Sequence, residues 1–299
     1  KKDEYADLGL SFETYLIEKK HVSDNTLESY MRDIGQFLSY LKDKGILDPT
    51  KIGNNDIRTY ISDIESAGRS HSTVMRVLAS VRCYYQYLVF ENIISENPAM
   101  GIKLTKIDKK LPSILTGQEI DLLLAHPDMS DAKGARDKAM LELLYATGLR
   151  VTELIVLNMQ DLNLSIGILH CVNSKNERII PIYPGAIKVL EHYITKARPL
   201  MVMDGNEQAL FTNINGTRLT RQGFWKIIKA YTKQAGIKKD ITPHTMRHSF
   251  ATHMLENGAQ LKDIQELLGH ADISSTQVYA HIMKDRYANI YKKYHPRAK

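Results

Sequence analysis

At 299 residues and 43% hydrophobic content, the chain can bury a core and is long enough for two domains. It has no apolar run of about 18 residues, which excludes a membrane-spanning helix, and its first residues, Lys1-Lys2-Asp3-Glu4-Tyr5-Ala6-Asp7, lack the apolar stretch of a signal peptide. Two cysteines, Cys83 and Cys171, exclude a disulfide-stapled scaffold and favour a reducing, cytoplasmic setting, while a net charge of +6 fits a polyanionic partner such as nucleic acid.

Residues 1–104 read as helical. A first helix is expected around Tyr5 to Lys19. From Thr26, the apolar residues Leu27, Tyr30, Met31, Ile34, Phe37, Leu38 and Leu41 keep the helical period, with Ser23, Asp24 or Asn25 as cap and Gly45 beyond the end. A third helix starts at Asn54 or Asn55 and runs through Ile57, Tyr60, Ile61 and Ile64 towards Gly68. A fourth starts at Ser70 or Ser72 and carries Val74, Val77, Leu78, Val81, Tyr84, Tyr85 and Leu88. Asn97-Pro98 ends the helical run, and the charged, breaker-bounded residues 105–112 read as a linker.

Residues 113–299 mix helix and strand. Thr116 with Glu119 forms the capping-box pattern, and Ala135 to Thr147 is an amphipathic helix closed by Gly148. Strands Ile168–Val172 and Arg178–Tyr183 flank the turn Asn173-Ser174-Lys175-Asn176-Glu177, predicting a hairpin. Further helices are expected at about 184–198, 220–235, 243–257, 260–268, 274–280 and 283–294. The fold class is therefore mainly α with a small antiparallel β-sheet, in two domains.

Three short stretches concentrate reactive side chains: Gly148-Leu149-Arg150-Val151-Thr152-Glu153, then His244-Thr245-Met246-Arg247-His248, then Leu268-Gly269-His270 followed by Tyr279. Opening a phosphodiester concentrates negative charge on the non-bridging oxygens. Arginine suits that charge because its planar fork donates two parallel hydrogen bonds and keeps its proton. Imidazole moves protons near neutral pH, and a tyrosine phenol, with a pKa near 10, becomes a nucleophile given a base and a cationic setting. Plainer readings exist for each: Arg150 at a helix C-terminus favouring the dipole, Arg247 in an ion pair within its helix, and Tyr279 packed like most of the 16 tyrosines. A zinc site on His244, His248 and His253 is disfavoured, since no glutamate follows His244 and the spacing is poor.

These stretches resemble the active site of the tyrosine site-specific recombinases, the phage integrase family, and within it the Xer type. Thr26-Leu27-Glu28-Ser29-Tyr30, Phe37-Leu38 and Arg76 to Arg82 extend the resemblance to the first domain. It implies a helical, SAM-like core-binding domain (1–104) and an α+β catalytic domain (113–299) that work on double-stranded DNA. It also implies metal- and ATP-independent cleavage through a 3′-phosphotyrosine, with no cofactor. Arg150 and Arg247 would clamp the phosphate, His244 would assist the nucleophile Tyr279, and His270 would donate to the phosphate. Glu153 would orient Arg150, and His248 reads as packing or as support behind the site. The family's general acid is a hairpin lysine within a Gly-Lys-Gly-Asn-Lys-Glu-Arg-like stretch. Here the turn is about one residue shorter and lacks both glycines, leaving Lys175 as the candidate. Arg76, Arg82, Arg218, Arg221 and Lys226 are candidate DNA contacts. The resemblance further implies a homo- or heterotetramer on two DNA sites, with Asp285 to Lys299 docking into a neighbouring subunit. A second Xer recombinase and an FtsK-like DNA translocase are the implied partners. The implied task is chromosome dimer resolution at a dif-like site. The alternatives are the integrase of a phage or conjugative transposon, a type IB topoisomerase, and a catalytically silent DNA-binding module, the last prompted by the altered hairpin.

Overall fold

A computed structural model describes residues 4–104, 113–172, 177–202 and 205–269 of the chain. The chain divides into two compact units, Lys1–Lys109 and Lys110–Lys299. The expected linker 105–112, the turn around Lys175, and the expected helices at 274–280 and 283–294 lie outside the described residues.

The first unit is a helical cluster of α1 (Glu4–Glu18), α2 (Asp24–Asp43), α3 (Asn54–Ser66) and α4 (His71–Phe90). Helix α4 packs against the other three, and its buried Val74, Val77, Leu78, Val81, Tyr84, Tyr85 and Leu88 form the stripe that the sequence period predicts. Ser70 caps it, accepting from the amide of Thr73 at 3.3 Å. Phe12 and Leu16 of α1, Phe37 and Leu41 of α2, and Ile57 and Ile61 of α3 close the core around it. One ion pair crosses this seam: Asp33 of α2, only 1% exposed, accepts from the Arg76 guanidinium and from Ser80 Oγ at 2.9 Å. A buried carboxylate with two donors from α4 sets the register of the two helices.

The second unit is built around a helix buried on nearly every side. α5 (Gly117–Ala125) carries the expected capping box: the Thr116 hydroxyl accepts from the Glu119 amide at 3.2 Å, and the Glu119 carboxylate accepts from the Thr116 amide at 2.7 Å. α6 (Ala132–Thr147) follows, with Ala139, Met140, Leu143 and Leu144 inaccessible to solvent. Its neighbours include α5, α8 (Pro184–His192), the short α9 (Arg198–Met201) and α11 (Pro243–Glu256), so the amphipathic helix expected from the sequence is instead buried on nearly every side, Arg136, Asp137 and Glu142 included. Between them lie α7 (Val151–Val156) and a three-stranded antiparallel sheet of β1 (Leu162–Asn163), β2 (Ile168–Val172) and β3 (Glu177–Pro181), in the order β1-β2-β3. Leu169 pairs with Ile180 and Cys171 with Arg178, so the expected hairpin forms, with an unforeseen two-residue strand at its edge. α10 (Arg221–Gln234) and α12 (Leu261–Leu268) complete the described part. The expected helix at 184–198 contains a π-helical turn, Tyr193–Ala197, which buries Tyr193 and lets its hydroxyl donate to the carbonyl of Leu210 at 2.9 Å. Among the described residues, no helix is long and apolar enough to cross a membrane.

Candidate active site

Three chain segments meet in the second unit, and glycine makes two of them possible. α6 ends at Gly148 with φ +61°, its amide donating to Leu144 at 3.0 Å. A Cβ at Gly148 would lie 2.5 Å from Phe250 Cδ1 of α11 and 2.8 Å from Leu268 Cδ2 of α12. The backbone corner is thus pressed directly against the other two segments. The turn buries Leu149 and places Arg150 as the residue before the first turn of α7.

That placement corrects the plain reading of Arg150. The arginine does not close a helix, where the dipole would favour a cation; it opens one, where the dipole disfavours it. Glu153 offsets the cost. Its Oε2 accepts from the backbone amide of Arg150 at 2.8 Å, and its Oε1 accepts from the guanidinium Nη1 at 3.2 Å. The Arg150 side chain remains 37% exposed, anchored from behind and open in front.

Arg247, in the middle of α11, is 5% exposed. Its Nη1 donates to the carbonyl of Gly148 at 2.5 Å and its Nη2 to the carbonyl of Leu268 at 2.6 Å, with Nη1 also 4.0 Å from Glu153 Oε2. Its guanidinium therefore joins the end of α6 to the end of α12, where Gly269, at φ +62°, turns the chain towards residue 270.

A third arginine, absent from the sequence-derived candidates, completes the cluster. Arg178 of β3 donates from Nη1 and Nη2 to both Glu153 oxygens at 3.1 and 3.0 Å, and from Nε to the carbonyl of Leu267 at 2.9 Å. Its signal was present in the strand alternation. Arg178 shares a face with Ile180, which is buried, and an arginine on an inward face needs a paired acid. Burial alone would raise the pKa of Glu153. Hydrogen bonds from Arg178 and the Arg150 amide, and the charges of both arginines, outweigh it and hold the carboxyl at about 2. Three guanidiniums against one carboxylate leave two positive charges in surplus, a setting for an anion.

The histidines sit on α11. Thr242 caps this helix, its hydroxyl accepting from the Thr245 amide at 3.1 Å, and Pro243 occupies the first turn. His244 follows on that turn and is exposed. It lines a groove of about 590 Å³ with Val151, Arg221, Gln222, Trp225, Lys226 and Pro243. His248, one turn further, is half-buried. Burial first, then the charges of His244 and Arg247, push its pKa below the usual histidine value. His253 pairs instead with the Tyr145 hydroxyl at 2.9 Å. No group of three metal-ligating residues occurs among the described residues.

The candidate DNA contacts divide. Arg221 and Lys226 stand exposed in the groove beside His244. Arg218 donates to the carbonyls of Ile155 and Leu157 at 2.8 and 2.9 Å and to Asn158 Oδ1 at 2.5 Å, tying down the end of α7. Arg76 is paired with Asp33, and Arg82 donates to the carbonyls of Ala99 and Ile102, fastening the end of the first unit to α4. Lys175, His270, Tyr279 and the segment from Asp285 to Lys299 lie outside the described residues.

Comparison with known proteins gives this arrangement a class. The sequence profile of the phage integrase family matches residues 113–286, and that of the phage integrase N-terminal SAM-like domain matches residues 11–92. The chain belongs to the phage integrase family, the tyrosine recombinases. Within it, the chain is similar to proteins named tyrosine recombinase XerD. It is 50% identical to that of Oceanobacillus iheyensis over 290 residues, covering 95% of this chain and 96% of the relative. It is 46% identical to that of Listeria innocua over 295 residues, covering 98% and 99%. The crystal structure of XerH site-specific recombinase bound to a palindromic difH substrate shares the fold, with a TM-score of 0.76 at 20% identity over 98% of this chain and 97% of that one.

Proposed function

We propose that the chain recombines double-stranded DNA at a dif-like site, in the manner of a chromosome dimer-resolving Xer recombinase. Arg150 and Arg247 bind the non-bridging oxygens of the scissile phosphate, and Glu153 keeps Arg150 facing it. His244 takes the phenolic proton of Tyr279 as the phenolate oxygen attacks phosphorus, and His270 donates to a phosphate oxygen. The bond to the 5′ oxygen breaks, and Lys175 supplies the proton that the leaving oxygen needs. The 3′-phosphotyrosine keeps the energy of the cleaved bond, so the 5′ hydroxyl of a partner strand can reverse the step without ATP. The charge on the transition state is met by arginines, so these residues call for no metal ion.

Residues 1–104 serve as the core-binding domain and 113–299 as the catalytic domain, joined by 105–112. Arg221 and Lys226, exposed beside His244, meet backbone phosphates next to the cleavage point. Arg76, Arg82 and Arg218 shape the protein surfaces that face DNA through their internal bonds. The assembly is a tetramer on two DNA sites, with residues 285–299 reaching a neighbouring subunit. A second Xer recombinase and an FtsK-like translocase act with it, in the cytoplasm.

The observation that carries this reading is the convergence of Arg150 and Arg247 on Gly148 and Glu153, in a chain about half identical to XerD along nearly its whole length. A nicked suicide substrate bearing a dif-like site, incubated in EDTA, tests it. A denaturant-resistant protein–DNA adduct formed by the wild type and abolished by Tyr279→Phe is expected. An adduct that survives Tyr279→Phe, or specific binding with no adduct at all, would overturn the proposal.

A further inference from the structure

We infer that Arg178 is a positioning residue for strand cleavage, holding the carboxylate behind Arg150 and the main chain beside Arg247 in one fixed relation. The inference rests on the recombinase reading above. Arg178 has two anchors, and each lies next to one of the two phosphate-binding arginines. Its fork closes on both oxygens of Glu153, the group that grips the amide and guanidinium of Arg150. Its Nε holds the carbonyl of Leu267, adjacent in the chain to the Leu268 carbonyl that receives Arg247. Three elements distant in sequence thus meet at one guanidinium: β3, the first turn of α7 and the last turn of α12.

Its surroundings argue against direct contact with DNA. Each of the three Arg178 guanidinium nitrogens donates to a protein acceptor, Nε to Leu267 and Nη1 and Nη2 to Glu153. They also argue against an ordinary core ion pair. A Cβ on residue 269 would lie 2.7 Å from Arg178 Nη1, so the glycine immediately before His270 is shaped around this guanidinium. Arg178 is also paired in register with Cys171 of β2, three residues after Lys175 in sequence. Displacing it would disturb the supports of Arg150 and Arg247 together.

Lysine cannot reproduce this. An ammonium is a point charge that can hold Glu153, but it lacks the planar fork that spans two carboxylate oxygens while a third donor reaches Leu267. Among the described residues, the charged groups facing Glu153 include Arg150, Arg178 and Arg247, with the buried thiol of Cys171 nearby. Without Arg178, burial is opposed by fewer charges, and protonation of Glu153 moves towards the working pH range.

The test is the rate of adduct formation on the nicked suicide substrate from pH 5.5 to 8.5, for wild type, Arg178→Gln, Arg178→Lys, Glu153→Gln and the Arg178→Gln/Glu153→Gln pair. DNA affinity and the far-ultraviolet CD spectrum are measured for each. Arg178→Gln is expected to slow cleavage by about 100-fold, the scale of a small misplacement of catalytic groups, while changing affinity by less than about threefold. Its loss should be steepest at acid pH, where Glu153 gains a proton, and Arg178→Lys should recover about tenfold. In the double variant the acid dependence should vanish, with little further loss beyond either single change. Cleavage by Arg178→Gln within threefold of wild type, a loss independent of pH, or fully additive single effects would each overturn the inference. Absence of an adduct from the wild type itself would instead remove the recombinase reading, and this inference with it.

Discussion

Glu153 holds Arg150 twice, once by its backbone amide at 2.8 Å and once by its guanidinium at 3.2 Å. The first bond fixes where α7 begins, and the second fixes where the side chain points. One carboxylate therefore sets both the position and the aim of the Arg150 side chain.

A dependence of stability on pH follows. The folded-state pKa of Glu153, about 2, lies below its ordinary 4.5, so the unfolded chain binds the proton more readily. The stabilisation is fully present above about pH 4.5 and is lost as pH falls towards 2. Its size, from the difference between those values, is about 3 kcal/mol. Urea unfolding at pH 7 and pH 3 should show wild type losing more stability on acidification than Glu153→Gln, by about 2 kcal/mol, the share of that stabilisation already lost at pH 3.

Gly148→Ala should be severe. The substitution puts a side chain at φ +61° and drives its Cβ to 2.5 Å from Phe250 and 2.8 Å from Leu268. Left-handed strain and overpacking together predict about 2–4 kcal/mol of destabilisation by thermal or urea unfolding. Suicide-substrate cleavage should fall as well, because the Gly148 carbonyl holds Arg247.

Arg218 and Arg221 are close in sequence and should fail differently. Arg218→Ala removes three hydrogen bonds at the end of α7 and should cost about 2 kcal/mol of stability. Arg221→Ala and Lys226→Ala, at exposed positions, should change stability by less than about 0.5 kcal/mol. Each should instead weaken DNA binding uniformly across sequences and reduce the salt slope by about one. Fluorescence anisotropy of labelled DNA over a salt series separates the two outcomes.

In the first unit, Arg76→Ala leaves the buried Asp33 carboxylate with the Ser80 hydroxyl but without its cation, which should cost about 2 kcal/mol. The single tryptophan, Trp225, belongs to the second unit, so helical CD is the appropriate readout.

Lys175 can be tested through the leaving group. Lys175→Ala should slow cleavage of an ordinary phosphodiester by about 100-fold or more, the usual share of a general acid. With sulfur in place of the bridging 5′ oxygen, the leaving group needs no proton, and the variant should approach wild type.

Much of this was legible in the residues. The stripes of α2, α3 and α4, the caps at Ser70 and Thr116, and the glycine closing α6 all formed as their local chemistry dictates. Short elements escaped: α7 has six residues and β1 has two, too few for a period to show. Missing α7 put Arg150 at the wrong kind of helix end. The internal bonds of Arg76, Arg82 and Arg218 were equally hidden, because a helical or loop context does not reveal whether a long side chain turns outward or back onto the chain. Arg178 was overlooked for a different reason, since a strand residue with no motif around it draws notice only through its buried neighbour Ile180.

Arg247 leans on main-chain oxygens, those of Gly148 and Leu268, more than on any side chain. Carbonyls are present whatever residue bears them, so drift in the surrounding side chains leaves these two supports intact. Movement of the backbone does not. A shift of the chain at Leu268, just ahead of the segment that leads to residues 270 and 279, would release one of the two carbonyls at once. The arginine is therefore well protected against mutation and directly exposed to conformational change.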